Sequence, residues 1–98
     1  MLERVIEGAL VRGVAARGGR ADKVQSPGRR GFFDRIVVMP GGRVFFVELK
    51  RPRGGRMSLQ QEERAREYRT LGAEVRMLRS LAQVEAFLSQ LDEPAKEA

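Results

Sequence analysis

The sequence predicts a small mixed α/β domain, in which a β-sheet of about four strands with a central hairpin is flanked by three helices. Two observations predict this fold class. Segments with hydrophobic residues at helical spacing alternate with short runs rich in β-branched and aromatic residues. The two strongest of these runs are separated only by Pro40-Gly41-Gly42, which is typical of a β-hairpin. The length of 98 residues fits one domain, expected over 1–91, followed by a polar tail over 92–98.

The first part of the chain contains one predicted helix and one candidate strand. Apolar residues at i, i+3 and i+4 spacing predict a helix over 2–16, which Gly18 and Gly19 end. Residues 20–25 are a candidate short strand, and the Pro and Gly content of 26–31 indicates a loop. The predicted apolar stripe of the helix comprises Leu2, Val5, Ile6, Ala9, Leu10 and Gly13.

The rest of the chain completes the sheet and its helices. Ser58 and Ser80 are predicted N-caps, each placed before a helix, and Gly72 ends the first of these helices. The predicted segments are strands over 32–39 and 43–50, a basic loop over 51–57, a helix over 59–71, a strand over 74–78, and a last helix whose buried face comprises Leu81, Val84, Phe87, Leu88 and Leu91.

The composition limits the chemistry that the chain can perform. It has no cysteine and no histidine, so disulfides, Cys-based zinc sites and histidine catalysis are excluded. Lysine and arginine number 19 against 13 acidic residues, and this net charge of +6 favours a polyanionic partner over a basic surface without a ligand. No apolar run reaches the ~20 residues of a membrane-spanning helix, so no membrane partner is expected and the composition fits a cytoplasmic protein.

Two carboxylates and a lysine lie close together on the predicted hairpin. Strand alternation places Glu48 and Lys50 on one face. With a three-residue turn Met39 pairs with Arg43, and counting outward places Asp34 opposite Glu48, with Cβ atoms about 4.5–5.5 Å apart. Two carboxylates at that distance repel each other unless a cation lies between them. A hard ion such as Mg²⁺ prefers oxygen ligands, and Lys50 could then orient water or stabilise charge on a phosphate.

An ordinary cross-strand ion-pair cluster of the same three residues is the structural alternative. Basic loops at the same end of the hairpin favour phosphate binding over that alternative, because positive charge around a metal site suits a nucleic-acid backbone. The arginines of these loops precede the first hairpin strand and follow the second: Arg29, Arg30, Arg51, Arg53 and Arg56.

The segment GFFDRIVVMPGGRVFFVELKRP resembles the core of the PD-(D/E)XK nuclease superfamily and, more narrowly, the VRR-NUC (virus-type replication-repair nuclease) domain. SPGRRG before the Asp strand, SLQQEE at the start of the next helix, Glu7 on the first helix and DKVQ with Lys23 agree with that pattern. The resemblance covers about residues 3–80. The family usually has Pro before the motif Asp, and this chain departs from the pattern by having Phe33 there, a change expected to alter strand entry and packing.

The resemblance implies a restriction-endonuclease-like fold and cleavage of DNA that depends on Mg²⁺ or Mn²⁺. It implies that Asp34 and Glu48 bind the metal, together with the backbone carbonyl of Leu49 and with Glu7 from the first helix. Small stand-alone members, typical of phages and bacteria, are similar to Holliday-junction resolvases and form homodimers. Branched DNA in replication or repair, and a second copy of the chain, are therefore the expected partners.

Further roles follow from the same resemblance. Lys50 would be the catalytic lysine, and Gln60 would be the helix glutamine near the site, with Gln61 as its competitor. Lys23 would contact phosphate, although an ordinary surface lysine fits equally well. For Glu7 the alternative is a solvated helix acid.

Two other functions fit these residues. A non-catalytic nucleic-acid-binding module that kept the fold would bind DNA without cutting it, and Phe33 in place of Pro favours this function. A structural or interaction domain with an ion-paired hairpin would neither bind nor cut DNA. Metal-dependent cleavage discriminates among the three functions.

Overall fold

The described part of the chain forms a four-stranded mixed sheet with helices on both faces. The structure is a computed structural model that describes residues 2–24, 32–50 and 57–94. Strand order in the sheet is β1-β2-β3-β4; the first three strands are antiparallel, and β4 runs parallel to β3. The elements in chain order are α1 (Glu3–Ala16), β1 (Arg20–Lys23), β2 (Arg35–Val38), β3 (Val44–Leu49), α2 (Leu59–Thr70), β4 (Glu74–Leu78) and α3 (Leu81–Leu91).

The β2–β3 hairpin has the predicted three-residue connection. The N–H of Met39 donates to the carbonyl of Arg43 at 2.8 Å, and regular pairing continues outward as far as Arg35. Gly41 and Gly42 have φ angles of 89° and 84°, a conformation that residues with a Cβ rarely adopt. The first hairpin strand thus begins at Arg35 rather than at residue 32, because regular pairing stops there.

Two hydrophobic clusters pack on opposite faces of the sheet. Successive side chains of β3 point to opposite faces, so Phe45 packs with α1 and α3, whereas Phe46 packs with α2. The first cluster includes Ile6, Leu10, Val14, Val37, Phe45, Val47, Leu49, Val84 and Phe87. The second is built on Phe33, Ala65 and Val75, with Phe32, Phe46, Met57 and Tyr68 packed against it.

The apolar stripe predicted for α1 is wrong at its N-terminal end. Leu2 and Val5 are 56% and 43% exposed. The buried residues of α1 are Ile6, Leu10 and Val14. The buried face is centred on these three, so the Leu2–Val5 edge of the predicted stripe lies outside the contact with the sheet.

Both predicted N-caps are confirmed. The hydroxyl of Ser58 accepts from the N–H of Gln61 at 3.1 Å, and the side-chain oxygen of Gln61 accepts from the N–H of Ser58 at 2.9 Å. This reciprocal pair is a capping box, which fixes the start of α2. The hydroxyl of Ser80 accepts from the N–H of Gln83 at 3.1 Å and so caps the start of α3.

Several predictions fall outside the described residues. The loop over 26–31, with Arg29 and Arg30, lies there, as do residues 51–56, with Arg51, Arg53 and Arg56, and the last residues of the tail over 95–98. In the described ranges, none of the helices combines the length and the apolar character that crossing a membrane requires. The cytoplasmic location stays a prediction.

Candidate active site

Asp34 lies immediately before β2, where the two neighbouring strands hold its backbone. Its N–H donates to the carbonyl of Val47 on β3 at 3.1 Å, and its carbonyl accepts from the N–H of Val24 at 3.0 Å. The side chain is fixed as well, because its Oδ2 accepts from the N–H of Leu49 at 2.8 Å. Asp34 therefore has a defined place beside the carboxyl end of β3.

The hairpin register brings Asp34 and Glu48 together, but not as the regular strand pair that the sequence predicted. Regular pairing ends with Arg35 opposite Val47, one step before that pair. At this step the Asp34 carboxylate accepts from the N–H of Leu49 instead. The two carboxyl groups nevertheless interact, since Asp34 acts on the pKa of Glu48 through both a hydrogen bond and its charge.

Glu48 is an acid buried at the end of β3. Its side chain is 1% exposed, and when it is ionised neither carboxylate oxygen has a hydrogen-bond donor. Burial first, and then the neighbouring carboxyl of Asp34, raise the pKa of Glu48 from 4.5 to about 9. A buried carboxylate is unfavourable without a compensating charge, so the site favours either a retained proton or a bound cation.

Lys50 follows the end of β3, where its N–H donates to the carbonyl of Leu78 on β4 at 3.0 Å. The positive charge of Lys50 lowers the pKa of Glu48 and so opposes the effect of burial. Within the described ranges, no ion pair joins Lys50 to Asp34 or Glu48. The three residues therefore do not form the ion-pair cluster that was the structural alternative.

On α1 the two acids Glu3 and Glu7 have different surroundings. Oε2 of Glu7 accepts from Nε of Arg35 at 3.1 Å, whereas the charge of Glu3 adds to the raised pKa of Glu48. The family pattern pointed to Glu7, and Glu3, whose charge acts on Glu48, was not among the predicted site residues. Their i, i+4 spacing was the available signal, because it places both on one side of the helix. The ligand role of Glu7 stays a prediction.

Comparison with solved structures identifies the architecture. A structure described as a "VRR_NUC domain" matches the chain with a TM-score of 0.83 and 28% sequence identity. The match covers 89% of this chain and 94% of the other. This chain has a VRR-NUC fold. The resemblance and the fold class predicted from the sequence are thereby confirmed, and the fold is that of a nuclease-type domain. No protein-family model matches, and comparison with curated proteins gives no significant match.

In this VRR-NUC fold, Phe33 precedes Asp34 at the position where the resemblance implies Pro. Its side chain is 2% exposed. Its ring centroid lies 5.4, 5.3 and 5.2 Å from those of Phe32, Phe46 and Tyr68. Phe33 thus anchors the packing of the sheet against α2, while the hydrogen bonds of Asp34 are in place.

Helix α2 of the VRR-NUC fold begins with two glutamines that differ in their contacts. Gln61 belongs to the capping box with Ser58. Gln60 is exposed, and within the described ranges its side chain makes no hydrogen bond to Asp34, Glu48 or any other residue. The role of Gln60 near the site stays a prediction, and so does the alternative assignment of that role to Gln61.

Lys23 is the last residue of β1 and is exposed. It is paired with Arg35 across the strands, and the next residue, Val24, donates its N–H to the carbonyl of Asp34. Lys23 therefore lies at the same end of the sheet as Asp34 and Glu48. That position agrees with a contact to phosphate, which stays a prediction.

The acids of this VRR-NUC fold fit a hard divalent cation. Over the described ranges, no three acidic side chains gather into a complete metal site, so the fit rests on Asp34 and Glu48. Mg²⁺ commonly keeps several waters and takes one or two carboxylates plus substrate phosphate. The buried oxygens of Glu48 that lack a donor are ligands of the kind that such a cation needs.

Proposed function

We propose that this protein is a metal-dependent DNA nuclease that hydrolyses phosphodiester bonds, with Asp34, Glu48 and Lys50 in its active site. One observation carries the proposal: the buried Glu48 carboxylate has no hydrogen-bond donor and lies beside the Asp34 carboxyl. Both acids occupy strand ends in a nuclease-type fold. The net charge of +6 supports a polyanionic substrate.

The metal in this proposal is Mg²⁺ or Mn²⁺, held by Asp34 and Glu48. The backbone carbonyl of Leu49 is a further proposed ligand, and the resemblance to the VRR-NUC family implies the carboxylate of Glu7 as another. When bound, such an ion lowers the pKa of a coordinated water and stabilises negative charge on the phosphate. Glu48 must lose its proton for this role, so metal binding and deprotonation of Glu48 are coupled.

The other residues act on the DNA. Lys50 is proposed to orient the attacking water or to stabilise charge that develops on the phosphate, and Gln60 is proposed to lie near it. Cations around the site would position the sugar-phosphate backbone without reading sequence. These cations are Lys23, Arg29, Arg30, Arg51, Arg53 and Arg56.

The proposed substrate is branched or junction DNA, processed in replication, repair or phage DNA metabolism. A homodimer with two-fold symmetry would present two such sites to a two-stranded or branched substrate. The small size of the chain also favours dimerisation, because a domain of this length buries a modest core. Sedimentation velocity across a concentration series tests the dimer: a single monomeric species at all concentrations would rule it out.

Cleavage assays test the nuclease. Purified protein with Mg²⁺ or Mn²⁺ is expected to cut labelled four-way, duplex or single-stranded DNA, and most rapidly the four-way form. The Lys50→Ala protein should bind the same DNA without cutting it. If all three forms of DNA stay intact with either metal, the proposal that the protein is a nuclease is wrong.

A matched pair of variants on β1 tests the placement of the site. Lys23→Ala and Arg20→Ala each remove one positive charge from an exposed position of the same strand. Lys23 lies at the Asp34 end of the sheet, whereas Arg20 is paired with Val38 near the hairpin turn. Weaker DNA binding is expected for Lys23→Ala alone, and equal losses for both variants would contradict a site at the Asp34 end.

Phe33 in place of Pro favours a second candidate function, a nucleic-acid-binding module without catalysis. This module would shift DNA without metal, with an affinity that falls as salt rises. It would leave all DNA forms intact, so the same cleavage assay separates the two functions.

A further inference from the structure

An ion pair links α1 to the strand that follows Asp34. Nε of Arg35 donates to Oε2 of Glu7 at 3.1 Å, and Nη1 of Arg35 donates to the carbonyl of Ala21 on β1 at 2.7 Å. The side chain of Arg35 is 17% exposed and that of Glu7 is 30% exposed. The guanidinium of Arg35 therefore joins one helix and two strands in a partly buried place, where removing one charge leaves the other without its partner.

The positions of these residues connect the ion pair to the proposed site. Arg35 directly follows Asp34, and their side chains point to opposite faces of the strand. Glu7 lies one helical turn after Glu3, whose charge reaches Glu48. Glu3 has no ion pair of its own within the described ranges. The contact between Glu7 and Arg35 thus ties α1 to the strand that begins directly after Asp34.

The same contact argues against a second use of the Glu7 carboxylate. A carboxylate that accepts a charge-assisted hydrogen bond from arginine already has a compensating charge. To bind a metal it would have to give up Arg35, and that would leave a partly buried guanidinium without a partner. Glu48, in contrast, has no donor to give up.

We propose that Glu7 and Arg35 are positioning residues that fix α1 against the Asp34 end of the sheet, and that Glu7 is not itself a metal ligand. This proposal rests on the proposed nuclease site, and it replaces only the ligand role that the family resemblance implies for Glu7. Glu7 acts through Arg35, so what the site requires is their hydrogen bond and not the negative charge of Glu7.

Isosteric variants separate positioning from ligation. In Glu7→Gln the amide oxygen still accepts from Arg35, but the charge that a metal ligand needs is lost. Asp34→Asn makes the same chemical change at the proposed ligand. In Mn²⁺ titrations of the whole protein, Glu7→Gln is expected to bind within about threefold of wild type, whereas Asp34→Asn should lose detectable binding.

Removing the contact gives the second readout. Glu7→Ala and Arg35→Ala should each weaken Mn²⁺ binding by about tenfold, as loss of a supporting residue around a metal site does. The double variant should be no weaker than either single variant, because both remove one interaction. Urea unfolding of the metal-free variants shows whether each is folded, and the Glu7→Gln result decides the question even if Arg35→Ala is unfolded.

The outcomes distinguish this proposal from the proposed function. Loss of Mn²⁺ binding in Glu7→Gln equal to that in Asp34→Asn would overturn positioning and make Glu7 a ligand, leaving the nuclease site intact. Additive losses in the double variant would also overturn it. Full Mn²⁺ binding by Asp34→Asn would instead reject the metal site itself, whatever Glu7 does.

Discussion

The side chain of Asp34 reaches from the entrance of β2 to the end of β3, where its Oδ2 accepts from the backbone N–H of Leu49 at 2.8 Å. This bond takes the place of the strand pair that would follow the last regular pair of the hairpin, Arg35 with Val47. It fixes the carboxylate of Asp34 next to the buried Glu48, so that one residue ends the strand pairing and supplies half of the proposed cation site.

Two substitutions at Asp34 should separate its structural contribution from its charge. Asp34→Asn keeps an oxygen that accepts from Leu49 and should unfold at nearly the wild-type urea concentration. Asp34→Ala leaves the N–H of Leu49 without an acceptor, which costs about 1–3 kcal/mol for a buried group. Both variants should lose metal-dependent cleavage. Equal stability of the two variants would show that the Leu49 bond contributes nothing measurable.

The raised pKa of Glu48 predicts how the stability of the metal-free protein depends on pH. The unfolded chain loses this proton near 4.5, whereas the folded protein keeps it up to about 9. The stabilisation from the retained proton is therefore complete below 4.5, decreases as pH rises between the two values, and is lost above about 9. The slope from this single group is at most about 1.4 kcal/mol per pH unit.

Urea unfolding with a chelator, at several pH values between those two pKa values, measures this dependence. Glu48→Gln cannot ionise, so its free energy of unfolding should change less with pH than that of wild type. If the free energy of unfolding changes with pH equally in wild type and Glu48→Gln, the pKa of Glu48 is not raised. With metal present, the free energy of unfolding of the wild type should instead rise with pH. The ion binds the ionised form of Glu48, so the affinity of the protein for the metal rises with pH.

Phe33 lies directly before β2 but is buried, so it should contribute to stability as a core residue does and not as an exposed loop residue does. Phe33→Ala removes a nearly fully buried ring from the cluster on α2 and should lower the free energy of unfolding by about 3–5 kcal/mol. Phe33→Pro should destabilise the protein as well, since it removes the same ring contacts. A change below about 1 kcal/mol for both variants would show that the aromatic cluster is not a packed core.

The contact between α1 and α3 predicts opposite outcomes at two glycines of the same helix. A Cβ at Gly13 would lie 2.3 Å from Cδ1 of Leu88, whereas a Cβ at Gly8 would meet only the flexible guanidinium of Arg12, at 2.9 Å from Nη1. Gly13→Ala should therefore cost about 1–3 kcal/mol through overpacking. Gly8→Ala, the matched control, should be neutral or stabilising by up to about 1 kcal/mol.

Thermal or urea unfolding of both variants measures the difference, and Leu88→Ala supplies the rescue. Combining Gly13→Ala with Leu88→Ala should cost less than the sum of the two single changes, because the small residue makes room for the added methyl group. Strict additivity would show that the two helices do not press together at Gly13.

The features that depend on neighbours along the chain could be predicted from the sequence. The hairpin turn follows from Pro40-Gly41-Gly42, and the start of α2 follows from Ser58 and the glutamine three residues later. Strand β4 occupies the predicted residues 74–78. Turns, caps and strand alternation are set by backbone geometry over a few residues, so their signals can be read without the rest of the molecule.

The surroundings of the acids, in contrast, depend on how distant parts of the chain pack together. Glu48 is only 1% exposed once the elements are packed, and the partner of Glu7 lies 28 residues away on another element. The sequence could place Glu3 and Glu7 on one side of α1, but not choose which one acts on Glu48. Contacts between distant residues depend on how whole elements pack, and hydrophobic spacing within one element carries no information about them.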